Sequence, residues 1–297
     1  MELVEEVGTG GVYPARRVDG QFDQQVAIKL VHPSHVRGKA LVRRFLRERQ
    51  ILARLQHPHI ARLYDGGVTA DGRPWLAMEY VDGVPVTTYC DQESLDVRAR
   101  LALFADVGRA VRYAHGQLVI HRDLKPSNIL VDGGGQVKLL DFGIAKLLEP
   151  DAEVTATRTG GRLLTPAYAA PEQIRGEGVT TATDVYQLGV LLYELLSGER
   201  PHQTADRTPF EIERSICEDE PPKPSRQASD SAADTRATDR ASLERALSGD
   251  LDTIILKAMD KKPSRRYAGA GEFVDDVERY LAGLPVSARP ATVRYRV

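Results

Sequence analysis

The chain has 297 residues, 42% of them hydrophobic and 28% charged, with a formal net charge of −2. That length suits one large two-lobed unit or two small domains, and the composition suits a soluble protein with a real core. The near-neutral balance argues against a nucleic-acid partner, and no run approaches the roughly eighteen apolar residues of a membrane helix.

In chain order, β-type runs separated by glycine come first, at Leu3–Val7, Val12–Val18 and Gln25–Val31. Helical spacing takes over at 38–55, where Leu41, Phe45, Leu52 and Leu55 fall on one side. His57-Pro58 then disfavours continuation. Strand-like pieces follow at Ala61–Tyr64 and Trp75–Tyr80, around a turn at Ala70–Arg73. A small lobe of five strands and one helix is expected over 1–81. After Asp82-Gly83 the periodicity is mostly helical, at 95–116, 184–197, 208–217, 250–260 and 270–282. Residues 221–245, rich in Pro, Ser, Asp, Arg and Ala, are expected to form a flexible surface insertion. Residues 283–297 carry no fold signal and read as a tail or the start of a linker. The arginines at 43, 44, 47, 49 and 54 read as a solvated helix face beside Glu48.

Cys90 and Cys217 are the only cysteines and lie far apart, so neither a disulfide framework nor a zinc site is expected. A reducing compartment fits, and with no apolar leader at the N-terminus we expect a cytoplasmic location.

The most informative run is His121-Arg122-Asp123-Leu124-Lys125-Pro126-Ser127-Asn128, followed by Asp141-Phe142-Gly143. It sets a proton acceptor, an amide and a second carboxylate near one another with a lysine between. These are the groups a phosphoryl-transfer site holding a divalent metal needs. Upstream, Val26-Ala27-Ile28-Lys29 closes a strand with a lysine, and Glu48 follows on the helix. Ala170-Pro171-Glu172 comes after.

On these motifs the chain, from about residue 3 to residue 282, resembles the catalytic domain of bacterial serine/threonine protein kinases of the Hanks type. The resemblance implies an α+β, two-lobed fold: an N-lobe over 1–81, a hinge at 79–83, and a mainly helical C-lobe over 82–282. It implies ATP and Mg²⁺, with Mn²⁺ as an alternative ion, and protein substrates carrying Ser or Thr. Lys29 would hold the α- and β-phosphates and Glu48 would fix Lys29. Asp123 would accept the hydroxyl proton and Lys125 would place a cation by the transferring group. Asn128 and Asp141 would ligate the metal. Val12 and Ala27 would border the nucleotide, Met78 the back of the adenine pocket, and Glu79 and Val81 the hinge. Leu52, Leu63, His121 and Phe142 match the stack that links the lobes. Asp184 would hold the catalytic-loop backbone, and Glu172 would pair with Arg266.

Arg122 before the catalytic aspartate goes with control by phosphorylation. Thr157 and Thr159 are the expected self-phosphorylated residues, their phosphates reaching Arg122, and a dimer would let the transfer occur in trans. Thr165 matches the threonine that contacts the catalytic aspartate and lysine.

One motif departs from the family. Kinases carry G-x-G-x-x-G-x-V between the first two strands, whereas Gly8-Thr9-Gly10-Gly11 runs directly into Val12-Tyr13-Pro14-Ala15. Aligning Val12 with the family valine leaves the loop three residues short and without its third glycine. Aligning Gly8 and Gly10 instead puts Tyr13 at the third glycine and Ala15 at the valine. The short loop fits the second strand better. Loss of two or three phosphate-facing N–H bonds, each about 1 kcal/mol net, lowers nucleotide affinity on the order of 10- to 100-fold. A pseudokinase, a folded binding or scaffold module with impaired ATP binding, is the rival from a different class. A small-molecule phosphotransferase is disfavoured by Ala170-Pro171-Glu172.

Overall fold

A computed structural model describes residues 2–3, 12–16, 25–30, 39–70, 72–142, 166–202, 204 and 207–289. The N-lobe is an antiparallel sheet of β1 (Glu2–Leu3), β2 (Val12–Arg16), β3 (Gln25–Leu30), β4 (Leu63–Val68) and β5 (Pro74–Glu79), in the order β1-β2-β3-β5-β4. Its helix is α1 (Lys39–Leu52). Side chains alternate across the sheet as a period of two requires. Val26 and Ile28 pack with Ala15 and Ala77 on one face, while Ala27 packs with Met78, Leu76 and Phe45 of α1 on the other. β2 begins at Val12, opposite Lys29, and Pro14 stands opposite Ala27.

β4 runs beyond its expected end through Asp65-Gly66-Gly67, with a register irregularity between Leu63 and Asp65. Glycine is what the site allows: a Cβ on Gly66 would lie 2.9 Å from the Trp75 carbonyl oxygen and 2.8 Å from Leu76 Cδ2.

The C-lobe opens with β6 (Gly83–Pro85), α2 (Val86–Gln92) and α3 (Val97–Gly116), the last capped by Asp96 accepting from the Ala99 N–H at 2.8 Å. β7 (Ile129–Asp132) and β8 (Val137–Leu139) join β6 in a three-stranded sheet of order β6-β7-β8. Then come α4 (Pro171–Arg175), α5 (Thr181–Ser197), α6 (Pro209–Cys217), α7 (Asp230–Asp234), α8 (Arg240–Leu247), α9 (Asp250–Ala258) and α10 (Ala270–Leu281). α5 is apolar almost all round and buried along nearly its whole length, the pattern of a central core helix. α3 lies so close to α10 that a Cβ on Gly108 would sit 2.2 Å from Val274 Cγ2. No helix among the described residues is long and apolar enough to cross a membrane.

Two expectations need correction. Residues 221–245 are not a flexible insertion: they form a 3-10 turn at Pro224–Gln227, then α7 and α8. Their order rests on polar anchors that an apolar count misses. Arg236, 2% exposed, donates to the carbonyl oxygens of Leu196 at 2.7 Å and Leu195 at 2.8 Å, satisfying the last turn of α5. Ser225 donates through N and Oγ to buried Asp252, at 3.0 and 2.8 Å. The tail also packs, as far as Arg289. Val286 is 3% exposed, and buried Asp276 accepts from Ser287 N, Ser287 Oγ, Ala288 N and Tyr267 Oη at 2.6–2.9 Å.

Candidate active site

The β7–β8 hairpin sets the geometry. Asp132 Oδ1 accepts from Gly134 N and Gln136 N, both at 2.9 Å, and closes the turn. Ile129 then pairs with Leu139, so Asn128 and Asp141, thirteen residues apart in sequence, emerge side by side at the open end. Leu140 N donates to the Asn128 carbonyl at 2.8 Å, and His121 Nε2 donates to the Leu140 carbonyl at 2.8 Å. Those two bonds join the 121–128 loop to the segment that begins at Asp141.

Asp184, fully buried in the first turn of α5, holds the loop from below. Its carboxylate accepts from His121 N, Arg122 N and His115 Nε2, each at 2.8 Å. Arg122 and Asp141 take φ values of +70° and +50°. Left-handed backbone at non-glycine residues costs about 1–3 kcal/mol each and persists where surroundings over-determine it. Burial pulls the His121 imidazole below its ordinary pKa, outweighing the raising influence of Asp184, the Leu140 carbonyl, Asp123 and Asp141. Neutral His121 can therefore donate from Nε2 while Nδ1 accepts from Asp123 N at 3.3 Å.

Asp123 Oδ2 accepts from Lys125 Nζ at 3.0 Å and from Asn128 Nδ2 at 3.1 Å, and Nδ2 also donates to the Asp123 carbonyl at 2.8 Å. Commitment of Nδ2 leaves Asn128 Oδ1 as an acceptor. With the Asp141 carboxylate it makes a pair of hard oxygen donors, which fits Mg²⁺ or a similar ion. Among the described residues no group of three or more His, Cys, Asp and Glu converges, so a bound ion would take its other ligands from water and phosphate. Lys29 Nζ lies 2.7 Å from Asp141 Oδ2, both partly exposed.

The His121 and Phe142 rings stand 4.7 Å apart between centroids. Leu52, Leu63, Met78, Asp141 and Phe142 line one small cavity between the lobes. Of the four residues matched to the interlobe stack, Leu52, Leu63 and Phe142 line that cavity, and His121 connects to it through its ring contact with Phe142. A larger cavity of about 530 Å³, lined by Lys223, Asp252, Lys257 and Arg289 among others, contains none of the catalytic candidates. At the hinge the Glu79 carboxylate is engaged by Lys138 Nζ at 2.7 Å and by Arg62 N at 3.1 Å. Its side chain is thus taken up by β8 and by the residue before β4, and its N–H donates to the Arg62 carbonyl at 2.8 Å.

Glu172 and Arg266 form a bidentate pair at 2.8 and 2.9 Å. Glu48 lies on α1, but its side chain lies outside the described set, as do Gly8, Gly10, Thr157, Thr159 and Thr165. Two residues that sequence reasoning passed over, Gln173 and Gln187, contact the loop directly. Gln187 Oε1 accepts from Leu124 N at 3.0 Å and Gln173 Nε2 donates to the Arg122 carbonyl at 2.9 Å. A side-chain amide on a helix carries no pattern that announces such a partner.

The family profile described as protein kinase domain matches residues 1–276. The serine/threonine-protein kinase PknB of Mycobacterium tuberculosis is 35% identical over 294 residues, covering 97% of this chain and 44% of that protein. A probable serine/threonine-protein kinase of Streptomyces coelicolor, SCO3848, is 35% identical over 298 residues, covering 98% of this chain and 41% of its own length. The chain therefore spans less than half the length of these curated relatives. Among solved structures, the M. tuberculosis PknI kinase domain superposes with a TM-score of 0.67 at 28% identity, covering 95% of each chain. With its motifs in order and these likenesses running almost end to end, the chain belongs to the protein kinase family, among bacterial serine/threonine kinases.

Proposed function

We propose that this domain transfers the γ-phosphoryl group of ATP to serine or threonine hydroxyls of proteins, using Mg²⁺ or Mn²⁺. The observation that carries the proposal is the convergence on Asp123: one carboxylate oxygen receives Lys125 and Asn128, within a loop hydrogen-bonded to Leu140, next to Asp141, whose carboxylate meets Lys29. Asp123 orients the acceptor hydroxyl and takes its proton as the oxygen bonds to the γ-phosphorus and the bond to the β-phosphate oxygen breaks. Lys125 sets positive charge beside the transferring group. Lys29 holds the α- and β-phosphates, with Glu48 bracing it. Asn128 and Asp141 hold the ion, which neutralises charge on the phosphate oxygens when bound. Val12, Ala27 and Met78 border the base, with the main chain of Glu79 and Val81 beside it.

The same reading makes the protein its own substrate. Phosphate on Thr157 or Thr159 would bring roughly −1.5 to −2 charges towards Arg122, Thr165 would contact Asp123 and Lys125, and a dimer would allow transfer in trans.

The test is transfer of labelled γ-phosphate, with Mg²⁺, to the protein itself and to a generic acceptor, beside Asp123→Asn and Lys29→Met. Label on the parent and on neither variant is the expected result. A folded parent that takes no label at millimolar ATP would turn the assignment to a binding module.

A further inference from the structure

Beyond the groups that touch substrate, the backbone on both sides of Asp123 is gripped by two buried amides from different elements. Gln187, 1% exposed on α5, accepts from Leu124 N at 3.0 Å through Oε1. Its Nε2 donates to the Arg122 carbonyl at 3.2 Å and to Gln173 Oε1 at 2.9 Å. Gln173, 8% exposed on α4, donates from Nε2 to the same Arg122 carbonyl at 2.9 Å and accepts from Ala170 N at 3.0 Å.

The chemistry of this set is complete. Each amide nitrogen faces carbonyl oxygens only, and each amide oxygen faces N–H donors only, so the orientations are mutually determined. The Arg122 peptide is held at both ends, its N–H by Asp184 and its carbonyl by the two glutamines. The same residue carries the left-handed φ of +70° that directs the chain into Asp123. Ala170, at the far end of the relay, opens Ala170-Pro171-Glu172, where the segment from Asp141 is anchored to the C-lobe by Glu172 and Arg266.

We propose that Gln173 and Gln187 form a positioning relay that fixes the carboxylate of Asp123 against the acceptor hydroxyl and ties that alignment to the seating of the activation segment at Ala170. Neither residue touches nucleotide or substrate; both act through Arg122 and Leu124. The inference rests on the assignment of Asp123 above. Its consequence is specific: loss of the relay slows the chemical step and leaves nucleotide binding alone, because Lys29, Met78 and the hinge belong to the other side of the cleft. Since both amides converge on one carbonyl, they act as a unit and their effects do not multiply.

The experiment compares the full chain with Gln187→Met, Gln173→Met and the double variant, methionine keeping the volume while removing the hydrogen bonds. Single-turnover phosphoryl transfer and the Kd for ATP with Mg²⁺ are measured on each. The expected result is a loss of about 10-fold or more in rate for each single variant. The double variant should show a similar loss, with Kd within about 2-fold of the parent throughout. If Gln187→Met does not fold, Gln173→Met, nearer the surface, carries the comparison alone. Folded variants that transfer at the parental rate overturn the relay, as do singles whose losses multiply or are matched by weaker ATP binding. A parent that transfers no phosphate overturns the assignment of Asp123 and the relay together.

Discussion

Arg266 donates two hydrogen bonds, 2.8 and 2.9 Å long, to the carboxylate of Glu172, ninety-four positions away in the chain, with both side chains shut off from water. The pair ties the short helix α4 to the stretch that leads into α10. Thr183 Oγ1 adds a third donor to Glu172 at 2.8 Å. Removing one member leaves an uncompensated buried charge, at a cost of about 3–5 kcal/mol. Arg266→Met is therefore expected to lower the unfolding free energy by about that amount in urea titrations at pH 7. A loss below about 1 kcal/mol would refute a structural role for the pair.

Acid should weaken the fold in two stages, the first from His202. Burial pulls this imidazole down to about 3, and the charges of Lys261 and Arg207 act in the same direction. Its Nε2 faces the Tyr186 hydroxyl at 3.1 Å and Lys261 Nζ at 3.4 Å, and its Nδ1 faces Ser215 Oγ at 3.1 Å. An ammonium at Nε2 needs an acceptor there, which only the neutral ring provides. The unfolded chain takes up this proton near the ordinary value of 6.5 and the folded one near 3. Stability is thus greatest above 6.5 and falls as pH drops through that window, by up to about 1.4 kcal/mol per unit. Glu172 adds the second stage. Burial raises its pKa, but the hydrogen bonds and charge of Arg266 outweigh this and the net shift is downward from 4.5. Its contribution is present above 4.5 and is lost as pH falls below it. Denaturant midpoints at pH 7.5, 6 and 5 should decline for the parent and stay flatter for His202→Gln. An equal slope in both proteins would remove His202 from the account.

Residues 285–289 form part of the folded domain. Val286 is buried, Arg279 Nε donates to the Pro285 carbonyl at 2.6 Å, and Arg289 pairs with Asp250 at 2.8 Å. Val286→Ala removes two buried methyl groups and should cost about 2 kcal/mol. A chain ending at Gly283 should melt at a lower temperature than the full chain, since Asp276 would then lose three of the donors described above. Coincident melting curves would show that the tail only rests on the surface.

How much of this was legible in the sequence depends on what holds each part. α3, α5 and α10 were readable because a long apolar period reports burial directly. The candidate catalytic groups stood out because phosphoryl transfer demands several unusual residue types in a fixed order. β6, β7 and β8 passed unnoticed: strands of three or four residues are too short to show alternation. α7 and α8 were missed because a guanidinium, Arg236, does the anchoring that leucine does elsewhere. Gln173 and Gln187 were invisible for a related reason: their partners are main-chain groups that only the tertiary fold brings near.

The glycine-rich segment before β2, three residues short when Val12 is aligned with the family valine, gives a direct link from sequence to expected binding strength. β2 starts at Val12, facing Lys29 across the sheet, so residues added between Gly11 and Val12 leave the strand register and the lysine in place. A three-residue insertion that restores the third glycine would supply two or three more backbone donors to the phosphates. At about 1 kcal/mol net for each bond, the Kd for ATP with Mg²⁺ should tighten by about 10- to 100-fold. Transfer at saturating ATP should change little, because Asp123, Lys125, Asn128 and Asp141 are untouched. Titration of nucleotide into parent and insertion variant, followed by rate measurements at saturation, separates the two quantities. Unchanged affinity would mean that the short loop already reaches the phosphates with its existing N–H groups. A rise in the saturated rate would instead place part of the alignment of the transferring group in the loop.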